Sequence, residues 1–279
     1  PPMPLKAPKN RLGLAQWLLM PENPLPSRVT VNRFWQEVFG NGIVKSSGDF
    51  GITGELPTHP ELLDWLATEF RRNNWDIKAF FRLILTSATY RQSSNVTAEK
   101  KRVDPANKWL SRAPRFRMDA EAIRDTALSM SGLLSQKIGG PSVKPYQPDG
   151  VWEAVAMPES NTRNYRRDSG ESLYRRSIYT FWKRAAPPAN MEIFNAPNRE
   201  TCVVKRERTN TPLQALVTLN DIQFVEAARV TATKLMREVG TTDRRMHRLS
   251  MAILSRPWKQ SELVVLTSVL DDLKVYYKS

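Results

Sequence analysis

Residues 58–86 read THPELLDWLATEFRRNNWDIKAFFRLILT. Leu62, Leu63, Leu66, Ala67 and Phe70 recur at three- and four-residue steps, which places them along one side of an α-helix. Thr58 followed three residues later by Glu61 has the form of a capping box, and Pro60 suits the first turn. Asp76 stands where the cap of a second helix belongs, and Ile77, Phe80, Phe81, Ile84 and Leu85 make a second apolar stripe. The two segments predict a helical hairpin joined through residues 72–75.

The same period extends in both directions. Leu12, Leu14, Ala15, Leu18 and Leu19 predict a short helix that Pro21 must end, followed by a turn at PENPLPS. Val31, Phe34, Trp35 and Val38 predict a helix over 29–39, closed by Gly40. Residues 40–57 form a glycine-rich loop. Asp119 opens a helix over Ala120 to Ser131, ended by Gly132. Residues 135–170 show no period, and loops of this length are usually functional or disordered. Tyr146, Trp152 and Tyr165 within it predict an ordered segment packed on the body. SIYTFW, from Ser177 to Trp182, reads as a strand, with Thr201 to Val204 as its partner. Helices are predicted over 212–219, 222–239, 243–254 and 262–277. The expected fold is mainly α: a helical domain with a long irregular insertion and one small two-stranded β element. Residues 1–10 read as a linker from a longer polypeptide. Residues 11–279 read as a single large domain, with sub-units 11–134 and 171–279 joined by irregular 135–170.

Hydrophobic residues make up 41% of the 279, and eight are Trp, enough for a substantial core. The net charge of +14 attracts polyanions or an acidic partner. The excess concentrates in residues 91–208, which hold 22 basic and 13 acidic side chains. Cys202 is the single cysteine, which excludes an internal disulfide, a cysteine-based zinc site and a c-type haem attachment in this chain. With two histidines, His59 and His247, little remains for a metal, and no metal site is expected. No apolar run approaches the roughly 18–20 residues needed to span a bilayer. No signal peptide is read at the start, which is Pro-rich and polar.

Several motifs in order resemble a known family: VNRFWQEVFGNGIV, GDFGITGELPTHPELLDWLA, TSATYRQSS, MDAEAIRDTALSMSGLL, GGPSVKPYQPDGVWE, LYRRSIYTFWKR and RTNTPLQALVTLND. They resemble the C-terminal domain of unknown function of planctomycete-type cytochrome-c-associated proteins, from about Arg11 to Pro257. The resemblance implies an upstream cytochrome-c-like haem domain in the same polypeptide, a periplasmic or otherwise extracytoplasmic location, and a part in the breakdown of complex polysaccharides. It implies no cofactor in this chain, any haem belonging upstream. It carries no catalytic residue onto a numbered position.

Candidate site residues come from the residues themselves. The block Tyr174 to Asp221 holds eight Arg or Lys residues and five aromatics. Arg199, Glu200, Arg206, Arg208, Asn210 and Gln214 lie close to a helix start, where free backbone N–H groups attract anions. The same residues equally suit an Arg–Glu network, and Thr211 with Gln214 has the form of a capping box. Tyr174 and Trp182, beside several cations, suit a stacking platform or core packing. Asp119, Glu121 and Asp125 fall within two turns of one helix and offer paired carboxylates for glycoside hydrolysis, or an acidic first turn that complements the helix dipole. His59, Glu61 and Asp64 suit metal or acid–base work, or capping. Asp49 suits a ligand loop or a structural turn. Cys202 suits a nucleophile, although its strand-like flanks predict burial. The functional expectation is a domain that binds an anionic glycan or docks a partner domain of the same polypeptide. A polysaccharide-degrading enzyme and, on charge alone, a nucleic-acid binder are the alternatives.

Overall fold

A computed structural model describes residues 1–238 and 240–278. The chain divides into two compact units: Pro1–Arg117 with Val203–Lys205, and Met118–Cys202 with Arg206–Ser279. The irregular segment 135–170 lies wholly inside the second.

The first unit holds α1 (Arg11–Leu18), α2 (Leu25–Phe39), α3 (Pro60–Arg72), α4 (Ile77–Thr86), α5 (Ala88–Arg91) and α6 (Ala98–Val103). Its core joins Val31, Trp35 and Phe39 of α2 to Leu63, Leu66 and Phe70 of α3 and Phe80 and Ile84 of α4. Phe34 sits among Phe70, Phe80 and Phe81 at centroid distances of 5.9, 5.7 and 5.2 Å, within the range where tilted aromatic pairs attract. The expected hairpin is therefore present as α3 and α4, with α2 packed across α3. Asp76 caps α4 by accepting from Ala79 N at 2.9 Å. Gly40 closes α2 in the left-handed conformation.

Two local expectations are corrected here. PENPLPS is not all turn, because α2 already begins at Leu25 with a proline in its first turn, where the missing N–H would lack a helical partner anyway. Thr58 and Glu61 form no capping box. His59 occupies the cap position, and the Thr58 hydroxyl instead meets Ile43 O at 3.3 Å and His59 Nδ1 at 2.8 Å.

The loop before α3 is ordered by buried polar side chains. Fully buried Asn32 donates from Nδ2 to Val44 O (3.0 Å) and accepts from Val44 N (2.8 Å), the pairing a neighbouring strand would otherwise supply. Asp49 accepts from the Thr53 hydroxyl (2.5 Å) and Gly51 N (2.7 Å), and these bonds, the first above all, hold its carboxyl below the usual range. Asp49 is thus the organiser of a structural turn.

The second unit holds α7 (Ala120–Ser131), α8 (Val151–Val155), α9 (Ala189–Ile193), α10 (Pro212–Asn220), α11 (Ile222–Arg237), α12 (Thr242–Leu254) and α13 (Gln260–Tyr276). Its apolar cluster is small: Ala120, Met191, Phe194 and Ala196, with Ile123, Trp182, Val217 and Phe224 against it. Gly132 ends α7 in the left-handed conformation, and Thr211 and Gln214 complete the capping box of α10. Mainly α is correct, but the two-stranded element is not. Among the described residues no strand forms. Ser177–Tyr179 is a 3-10 turn, and pairing is limited to single bridges at Ser135 with Arg175, Val143 with Thr180 and Lys183 with Ala186. Residues 201–204 are exposed and take no part in these bridges. Cys202 is accordingly exposed, not buried as its flanks predict. Within 177–182, Ser177 and Thr180 are buried, Tyr179, Phe181 and Trp182 are half-buried and Ile178 is exposed, a non-repetitive path in which propensity loses to tertiary packing. Val239, the last residue of one predicted helix, and Ser279 lie outside the described residues.

Candidate functional site

The centre of the second unit is polar. Arg124, on α7, is 2% exposed. It donates from Nε to Gln223 Oε1 of α11 (2.5 Å), from Nη1 to Arg175 O (2.9 Å) and Ser177 Oγ (3.2 Å), and from Nη2 to Leu173 O (2.8 Å). Asp125 lies 3.6 Å from the same guanidinium and accepts from Ser177 N (2.8 Å) and Oγ (2.7 Å). Burial pulls Arg124 down to about 10, opposed by Asp125 and Asp221, and burial pushes the Asp221 carboxyl up against its hydrogen bonds from Gln223 and Phe224. Arg175, 4% exposed, extends the pattern. Its Nη1 donates to Pro141 O (2.9 Å), its Nη2 donates to Gly139 O, and its plane lies 3.9 Å from the centroid of Tyr179. The irregular segment is thus fastened to α7 through two buried guanidinium groups that bind main-chain carbonyls.

The proposed carboxylates are all engaged. Glu121 accepts both arms of Arg206, at 2.6 and 3.2 Å. Asp119 lies 3.7 Å from Arg206 and 3.5 Å from Arg208. Asp119 starts α7 as expected but makes no side-chain cap bond, because these arginines hold its carboxylate. Two groups that look separate in sequence, the Asp119 helix and the arginines near Asn210, therefore form one ion network. Such a network needs both signs to stay satisfied once partly buried.

The remaining candidates fall into separate places. Trp182 lies under the Arg199 guanidinium at 4.4 Å and donates from Nε1 to Asn198 O (3.2 Å). Arg199 takes a positive φ of 67°, uncommon for a side-chain-bearing residue. Glu200 stands 4.0 Å from Arg184, both well exposed. Asn210 is exposed. Gln214 is buried and serves structure: its Nε2 donates to Ile193 O (2.9 Å) and Thr209 Oγ1 (3.0 Å). The Tyr174 hydroxyl donates to Glu226 Oε1 (2.9 Å), and burial with that bond pushes it up to about 12. In the first unit, Asp64 pairs with Arg28 Nε at 2.6 Å, and the His59 ring meets Trp109 edge-on at 5.5 Å. No group of three His, Cys, Asp or Glu side chains among the described residues is placed to hold a metal ion. No helix among them is long and apolar enough to cross a membrane.

One centre is invisible to motif reading. Trp152, 1% exposed on α8, is surrounded by Tyr165 (4.8 Å), Phe181 (5.5 Å) and the ammonium groups of Lys144 (5.6 Å) and Lys183 (4.9 Å). The aromatic content of 135–170 signals order there, but the meeting of Lys144 with Lys183 depends on the bridge of Val143 to Thr180, which no local pattern encodes.

These features sit in a chain of known kinship. Residues 10–270 match the family PSD1, described as a protein of unknown function (DUF1553), and the chain belongs to that family. No curated protein and no solved structure matches it.

Proposed function

We propose that the chain is a binding module for an anionic polysaccharide, acting through the exposed cation–aromatic face of its second unit. One observation carries this reading: Asp119, Glu121 and Asp125 are held by arginines and Ser177, whereas Arg199 over Trp182, with exposed Arg184 and Arg176, stays at the surface. Carboxylates locked in ion pairs are poor proton donors, and a rigid ring under a guanidinium suits a sugar bearing carboxylate or sulfate. In this reading the module belongs to an exported, planctomycete-type polypeptide with a cytochrome-c-like haem domain. It presents substrate to neighbouring domains of the same chain, and haem is supplied by them. The test is isothermal titration with polyglucuronate, a sulfated galactan, neutral glucan and duplex DNA at low and moderate salt. Binding of an acidic glycan that survives moderate salt and weakens at least about tenfold in Trp182→Ala and Arg199→Ala supports the module. Binding of all polyanions alike, lost at moderate salt and indifferent to Trp182→Ala, refutes it.

A further inference from the structure

Lys144 and Lys183 both place their ammonium groups against one ring. Trp152 lies 5.6 Å from Lys144 Nζ and 4.9 Å from Lys183 Nζ, measured to the ring centroid, and Lys144 also lies 5.3 Å from Phe181. Two like charges on one aromatic repel, and among the described residues neither is within ion-pair distance of a carboxylate. Lys183 donates one bond to Thr162 O (3.0 Å). Of the acidic groups nearby, Asp168 Oδ2 accepts from the Lys144 backbone N–H (2.7 Å), and Glu153, next to Trp152 on α8, has a buried Oε2 without a hydrogen-bond partner among the described residues and forms an ion pair with neither ammonium. The Trp152 indole N–H is buried and has no hydrogen-bond partner among the described residues. A buried N–H left unpaired is costly unless something accepts it.

An unpartnered donor nine-tenths buried, on the ring that two half-buried ammonium groups share, has the donor set of an oxyanion site. We propose that Lys144, Lys183 and the Trp152 indole N–H bind a small oxyanion, a carboxylate or sulfate group. Tyr165 and Phe181 pack against the Trp152 ring at centroid distances of 4.8 and 5.5 Å, and the ring is 1% exposed, so it offers no open face for a sugar to stack on. The site is distinct from the Trp182–Arg199 face and does not depend on the glycan reading.

The test is an indole N–H NMR titration of the whole chain with sodium sulfate and, separately, sodium acetate, each matched to sodium chloride at equal ionic strength. The Trp152 resonance is identified by its loss in Trp152→Phe, or by through-space contacts to Tyr165 if that variant does not fold. The expected result is a saturable shift of this one resonance with sulfate or acetate but not chloride, whichever anion binds tighter naming the preferred group. Lys144→Gln and Lys183→Gln each weaken it at least about fivefold, and Lys144→Arg retains it. A linear shift, an equal response to chloride, or unchanged affinity in both glutamine variants overturns the proposal.

Discussion

Replacing Arg124 with methionine removes the anchor of the second unit while filling most of its volume. Four hydrogen bonds disappear, to Gln223 Oε1, Arg175 O, Ser177 Oγ and Leu173 O. Two buried carbonyls and one amide oxygen are left without that donor, and Asp125 loses its cation but keeps Ser177. Each stranded acceptor costs about 1–3 kcal/mol, and breaking a buried charged network by one partner costs about 3–5 kcal/mol in all once water enters. The expected loss is therefore about 3–5 kcal/mol, read as a shift in the urea midpoint at unchanged slope. Hydrogen exchange should accelerate at the amides of Ser135, bonded to Tyr174 O, and Ser177, bonded to Asp125. Arg124→Lys should recover less than half, because one ammonium cannot reach four acceptors spread over residues 173–177 and α11. A methionine variant within about 1 kcal/mol of the parent would falsify the assignment of Arg124 as the anchor.

Three further outcomes follow from the geometry. Arg206→Ala should cost about 1–2 kcal/mol by releasing Glu121 and unbalancing Asp119, and a second change of Glu121→Gln should restore part of it; additive losses in the double-mutant cycle would argue against direct coupling. Gly40→Ala should lower the melting temperature by an amount equivalent to about 1–2 kcal/mol, because φ is +81° and the new Cβ meets Phe116 Cδ1 at 2.8 Å; an unchanged melt sinks this. The Glu262 carboxyl is drawn down to about 2, first by its side-chain bonds to Arg256 and then by the Lys259 N–H. Its folded value is depressed, so its support for the start of α13 is complete above its unfolded value of 4.5 and is lost as pH falls toward 2. A carbon-detected NMR titration should place its midpoint well below 4, and Arg256→Gln should raise it.

Helices were legible because burial imposes a period that survives in sequence. Leu63, Leu66, Ala67 and Phe70 are buried as their spacing predicts, and Gly40, Gly132 and the Thr211–Gln214 pair end or begin helices for reasons local to a few residues. Thr58 had a local signal too, but its hydroxyl found a distant acceptor in Ile43 O. The segment 177–182 has strand composition and no strand partner, since its contacts are supplied by isolated positions in 135–143 and by Arg124 and Asp125. The candidate site was legible as residue types and not as pairs. Glu121 and Arg206 are 85 positions apart, and Arg124 and Gln223 are 99 apart, distances at which charge and spacing along the chain carry no register.

Arg124 and Arg175 hold the irregular segment by carbonyl oxygens, the one group every residue possesses. An anchor of that kind is indifferent to what Leu173, Lys137, Gly139 and Pro141 carry as side chains, provided the backbone path is kept. The segment between these clamps can then change its exposed side chains while two arginines keep the frame. Among members of the family, diversity should gather between the clamps and constancy at the two guanidinium groups, a division of labour closer to that of an antibody loop on its scaffold than to that of a packed core.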